Sequence, residues 1–234
     1  MSNSTKTRLA IAFFSFGFVL MIAAFIVGKG RPYEALPYGP GMLNHFLLSV
    51  ASEYPTGDRG VLVPSDRVNT SYGVSEDIYY QGRRAAKRDP EGKVYCVGLM
   101  FEIYMKACAK AGGRDFQLGA ITENEIGQFR KDWYGVDGNR RTLVRTLSER
   151  GLGIEITNPE EAREGDLVQF WRKNGSGHSV LFLGWERDST GDRRAISYWS
   201  AQSANGISEN TEYFANHGGD VLNDEIYIVR AYKP

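Results

Sequence analysis

A cysteine stands at the mouth of an apolar, helix-forming run, "CVGLMFEIYMKACAK", with Cys96 opening it and Cys108 near its end. A thiol acts as a nucleophile in its thiolate form. The unpaired N–H groups and positive dipole end of a helix N-terminus favour that form. The same N–H groups can hold a developing oxyanion. Cys96 is placed for both effects, so its thiol is expected to be acidified. Cys108, in the last turn, has the dipole against a thiolate and reads as core packing. Twelve positions along one helix set the two residues about 18 Å apart, beyond disulfide reach, so both are expected to be free thiols.

A nucleophilic thiol needs a base and a group that orients the base. The chain has three histidines. His45 falls inside an expected helix, and His217 lies in the loop "FANHGGD". His178 opens "HSVLFLGW" after the small-residue turn "NGSG", where a ring can enter a cleft. Any one of them alone reads more readily as structural or exposed. The helix-start cysteine is what makes His178 the candidate base. The orienting group is sought on the next strand, "RAISYWSAQ", where side-chain alternation puts Tyr198, Ser200 and Gln202 on one face. The Gln202 amide oxygen can accept the Nδ1–H of His178, Ser200 can do so more weakly, and Asn205 lies just beyond. All three stay open. No carboxylate lies on that strand, so the triad is expected to end in an uncharged residue.

Taken together, these pieces resemble the NlpC/P60 cysteine peptidases. "CVGLMFEIY" is similar to the family's C-S-G-L helix start, and "GDLVQFWRKNGSGHSVLFLGW" to its block running from G-D-L-V to G-H-V-G-I-Y-L-G. "SYWSAQ" resembles the E-x-N strand of the related CHAP amidases, with Ser200 at the acid and Gln202 at the asparagine. The resemblance spans roughly residues 78 to 205, in the order of the papain-like superfamily. It implies an amide or peptide bond of bacterial peptidoglycan as the substrate. "YYQG" is loosely similar to the family's upstream tyrosine segment, which makes Tyr80 an oxyanion or substrate-binding candidate together with Tyr95 beside the thiol. Two departures stand out. Tyr95 and Val97 occupy the places of an Asp and a Ser, and the third member is not a histidine. They favour an alternative, an inactive module that binds wall peptide or a protein partner.

The elements that must position these residues follow from pattern. "MLNHFLLSVASEYP" has apolar residues at helical spacing before a proline. Residues 56 to 92 read as irregular, with short extended pieces. The Cys96 helix closes at Gly112-Gly113, and "RTLVRTLSERGLG" reads as another helix. Thereafter "GDLVQFW", "HSVLFLGW", "RAISYWSAQ" and "EIYIVRAY" are strand-like, and "ERDSTGDRR" is a hairpin turn. Helices followed by an antiparallel meander predict an α+β fold, of papain-like NlpC/P60 type.

Ahead of this domain, Leu9 to Gly28 is an uncharged apolar run after Lys6 and Arg8. About 20 helical residues rise roughly 30 Å, a bilayer core. The run lacks a clear cleavage site, so a retained signal anchor is expected over a cleaved peptide. The expected organisation is an anchor over 1–30, linker and amphipathic helix over 31–60 and catalytic domain over 61–234. That makes a single-pass membrane protein, or a secreted one if the segment is cleaved, with its domain in the periplasm or cell-wall space. Lys+Arg and Asp+Glu are both 28, so nothing favours nucleic acid. No histidine or cysteine pair has metal-ligand spacing and no Gly-rich stretch has a nucleotide pattern, so neither metal nor cofactor is expected. Asp166 is expected to serve its turn, and the tryptophans Trp171, Trp185 and Trp199 the core or cleft wall. Arg83, Arg84, Lys87 and Arg88 read as a solvated loop. Oligomeric state has no signature.

Overall fold

The apolar run from Cys96 forms helix α2 (Cys96–Gly112), the axis of the helical layer. It begins at Tyr95, whose extended backbone (φ −133°, ψ 165°) breaks the helix, and it ends at Gly113 in a positive-φ conformation. Its length buries Leu99, Met100, Phe101, Ile103 and Tyr104. The computed structural model describes residues 41–57 and 72–234, all within one compact unit of the chain.

Helix α1 (Asn44–Ala51) packs against α2, as the spacing of Leu47, Leu48 and Val50 requires. A short hairpin, β1 (Ile78–Tyr80) and β2 (Arg83–Ala86), precedes α2, and its basic residues are exposed. Helices α3 (Ile126–Tyr134) and α4 (Thr142–Ser148) follow.

The remaining chain is a six-stranded sheet of β3 (Gly153–Glu155), β4 (Leu167–Arg172), β5 (Gly177–Arg187), β6 (Arg193–Gln202), β7 (Gly206–Tyr213) and β8 (Val221–Ala231). The order is β3-β8-β4-β5-β6-β7, antiparallel throughout. The fold is α+β with helices preceding antiparallel sheet. Helix α3 and strands β3 and β7 go beyond the elements expected from pattern.

Side-chain alternation divides the sheet residues between two cores. Leu167, Leu181, Trp199, Ala201 and Val229 join the helices in one, and α2 lies on β5 and β6. Val168, Phe170, Val180, Phe182 and Tyr198 form the other with Phe214 and Val221. Asp166 ties the layers together: its fully buried carboxylate takes bonds from Arg230 at 2.8 and 2.9 Å and from Asn44 of α1 at 2.8 Å. Its role is wider than the expected turn, although Arg163 N–H does close that turn on it at 2.8 Å.

Among the described residues no helix is long and apolar enough to cross a membrane. The expected anchor, residues 1–30, lies outside the described residues.

Candidate active site

Gly98, one turn into α2, lets a neighbouring segment reach the helix start. A Cβ there would collide with the carbonyls of Tyr72 and Gly73, which lie flat against the first turn. Gly73, at φ +58°, in turn passes beneath the Tyr95 ring and accepts the Tyr95 N–H at 3.3 Å. The glycine of "CVGL" therefore holds residues 72–73 against the mouth of α2. No side chain caps this helix. The Cys96 sulfur faces the N–H groups of Ser179 on β5 and of Val97 and Cys96 itself.

Those donors lower the thiol pKa, as the helix-start position predicts, but burial is the larger effect and the net shift is upward. The expected acidified thiol is thus corrected: desolvation of the anion outweighs three N–H groups and the nearby Arg172 cation. Cys108 is fully buried, and burial pushes its thiol up strongly. Both cysteines are free.

His178 sits one residue into β5, opposite Phe170 of β4. Its ring is held edge-on between Phe170 and Tyr198, with centroids 5.5 and 5.4 Å away. It alternates with Val180 and Phe182 and so lies on the sheet face away from α2. Thiol and ring share a cleft only at the end of the strand, beside Gly177. There Tyr95, Cys96, Arg172, His178 and Gln202 line one cleft of about 290 Å³, with Asn174 and Ser176 among its rim residues.

The register of β5 on β6 continues from Leu181↔Trp199 to bring Gln202 level with His178. The Gln202 amide meets the ring at 2.6 Å, at Nε2 and not at the expected Nδ1. A ring projecting from the strand end turns its far nitrogen to the neighbouring strand, leaving Nδ1 as its other polar atom. Ser200 does not reach the ring. Its hydroxyl donates to the Ser179 carbonyl at 2.8 Å in the sheet interior. Asn205 bonds Asn210 in the following turn. Tyr80 is buried among the helices, where its hydroxyl donates to the Ile121 carbonyl and accepts the Leu118 N–H. It does not line the cleft. Tyr95 does, with its phenol pushed up by burial and by the neighbouring Cys96. Of the tryptophans expected in the core or the cleft wall, none lines the cleft; Trp199 is buried in the helix-side core and Trp185 packs against the other.

Pattern reading missed two charged residues behind the ring. Arg172, the last residue of β4, pairs through Nε and its terminal nitrogen with both oxygens of Glu212 on β7, at 2.7 and 2.6 Å. Burial works against the carboxylate, but bonds from Arg172 and Tyr198 win and hold Glu212 below the usual carboxylate range. Burial, then the Arg172 charge, pull His178 down from 6.5 to about 3, so the ring is neutral at pH 7. Glu212 carries no motif signal: it is polar on a polar edge strand, forty residues from its partner.

Among the described residues no cluster of His, Cys, Asp and Glu could hold a metal ion. No protein-family model, curated protein or solved structure matches the chain.

Proposed function

We propose that the chain is a thiol hydrolase of the papain-like, NlpC/P60 kind, cleaving a peptide or amide bond, with bacterial peptidoglycan as substrate. One observation carries the reading. Cys96 in the first turn of α2, His178 and Gln202 line a single cleft, and Gln202 holds the His178 ring at 2.6 Å. In this scheme the Cys96 sulfur attacks the carbonyl carbon and its proton passes to His178. The imidazolium returns that proton to the leaving amine as the C–N bond breaks. Helix-start N–H groups stabilise the oxyanion, and water hydrolyses the thioester. The apolar run Leu9–Gly28 would anchor the chain, with the domain in the periplasm or cell-wall space.

A second reading, a tethered binding module without catalysis, is favoured by one pair of facts. Burial raises the thiol pKa and lowers that of the imidazole, opposite to an activated pair. The two readings separate in one experiment. Full-length protein and Cys96→Ala are incubated with peptidoglycan, and soluble products are weighed by mass spectrometry. Fragments that vanish in the variant establish the hydrolase, and their masses name the bond. Retention of the wall polymer without fragments, equal in both proteins, establishes the module.

A further inference from the structure

Behind His178 runs an unbroken chain of short hydrogen bonds whose hydrogens can be counted. Glu212 is a carboxylate gripped by Arg172, so it only accepts. Tyr198 reaches its Oε1 at 2.5 Å, and the single phenolic hydrogen is spent there. The Tyr198 oxygen is then an acceptor, and the partner 2.6 Å from it is the Gln202 amino group. That amino group has a second hydrogen, aimed at His178 Nε2, 2.6 Å away. A ring nitrogen that accepts carries no proton, so in the neutral ring the proton is on Nδ1.

We propose that the Arg172–Glu212 ion pair, relayed through the Tyr198 hydroxyl and the Gln202 amide, holds His178 in the tautomer protonated on Nδ1. Arg172, Glu212 and Tyr198 are positioning residues, acting on the ring through Gln202. The inference deepens the hydrolase reading and rests on it only for its consequence in catalysis. An Nδ1–H ring has no free nitrogen for the thiol proton, so the dyad is held unarmed. Arming it requires the Gln202 amide to turn over and present Oε1 to Nε2–H. The Tyr198 hydroxyl then turns from Glu212 to Gln202. The charged and titratable groups around the ring are Arg172 on β4, Tyr198 on β6, Glu212 on β7 and Cys96 on α2. All keep one charge state near pH 7, so the relay has a defined direction there.

The test uses full-length protein with ¹⁵N-labelled histidine, observed at pH 7 by long-range ¹H–¹⁵N correlation. Three histidines make the spectrum assignable, with His178→Asn identifying the signal. Wild type should show the protonated nitrogen of His178 at Nδ1. In Tyr198→Phe the Gln202 amino group loses its acceptor, and in Glu212→Leu the Tyr198 hydroxyl loses the carboxylate it donates to and is released to donate to the Gln202 amide oxygen. In both variants the protonated signal should exchange to Nε2, and Cys96 should alkylate several-fold faster. Unchanged His45 and His217 signals report an intact fold. An Nε2–H ring in wild type, or an Nδ1–H ring kept in both variants, overturns the relay. A tautomer exchange without wall fragments upholds the relay and sinks the hydrolase reading. An unmoved tautomer in a cleaving enzyme does the reverse.

Discussion

Acid should unfold this protein in part through one ring. His178 is 6% exposed and titrates at about 3 in the folded chain, against its ordinary 6.5. Between those values the unfolded chain binds a proton that the folded chain excludes, so the contribution of His178 is complete above pH 6.5 and falls as pH falls. The loss runs at about 1.4 kcal/mol per pH unit, reaching about 2.7 kcal/mol at pH 4.5. That is a large share of an ordinary domain's stability of roughly 5–15 kcal/mol. The perturbation is His178→Asn, which removes the titration and keeps the Arg172–Glu212–Tyr198 chain. Urea unfolding of both proteins at half-unit steps from pH 7 to 4.5 gives two curves, and their difference removes the carboxylates they share. The wild-type curve should fall more steeply by about 1.4 kcal/mol per unit below pH 6. Parallel curves, within about 0.5 kcal/mol, would refute a ring held neutral by burial.

Three further outcomes follow from the same geometry. Asp166→Asn leaves Arg230 buried without its counter-charge, so the urea midpoint should drop by the equivalent of about 3–5 kcal/mol, with an unchanged m-value. Gly98→Ala drives a methyl into the Tyr72 and Gly73 carbonyls and should lower stability by about 1–3 kcal/mol in thermal unfolding; equal stability would mean that residues 72–73 do not rest on α2. Iodoacetamide should label native Cys96 slowly but ahead of Cys108, since Cys96 lines the cleft and Cys108 is fully buried; rapid Cys96 labelling at pH 7 would contradict a thiol pKa raised by burial.

What pattern could reveal was local. The start of α2 is written in an apolar run, and β5 and β6 in β-branched and aromatic runs flanking the polar Asp188–Asp192 turn around Gly191. Helix α3 had a readable signal as well, with Ile126, Phe129 and Trp133 on one face, but its charged intervening residues mask it. Strand β7 had none. An edge strand in this sheet, it buries only its first residues and alternates polar side chains outward. The choice of Gln202 over Ser200 and Asn205 was beyond sequence too, because alternation puts Ser200 and Gln202 on the same face. Only the strand register decides which one is level with His178. The direction of the thiol shift was misjudged for a physical reason. Helix-start N–H groups are visible in a sequence, whereas the desolvation that outweighs them depends on the depth of the fold.

The direction of that desolvation bears on how any chemistry here must proceed. A preformed thiolate–imidazolium pair requires the imidazole to hold the proton that the thiol gives up. Burial raises the thiol pKa and lowers that of the ring to about 3, so before substrate binds that transfer runs against both shifts. The resting site is therefore a neutral thiol beside a neutral ring, and substrate has to change the balance. Proton transfer must be concerted with attack, or the bound substrate must turn the Gln202 amide and bring polar groups to the developing charges. Both routes predict a site that is quiet toward simple alkylating agents and reactive only when the cleft is filled. A peptide that occupies the cleft should accordingly accelerate loss of the Cys96 thiol to an acyl-type reagent presented on that peptide, relative to the same reagent free. Equal rates for the tethered and free reagent would remove substrate-linked arming from the mechanism.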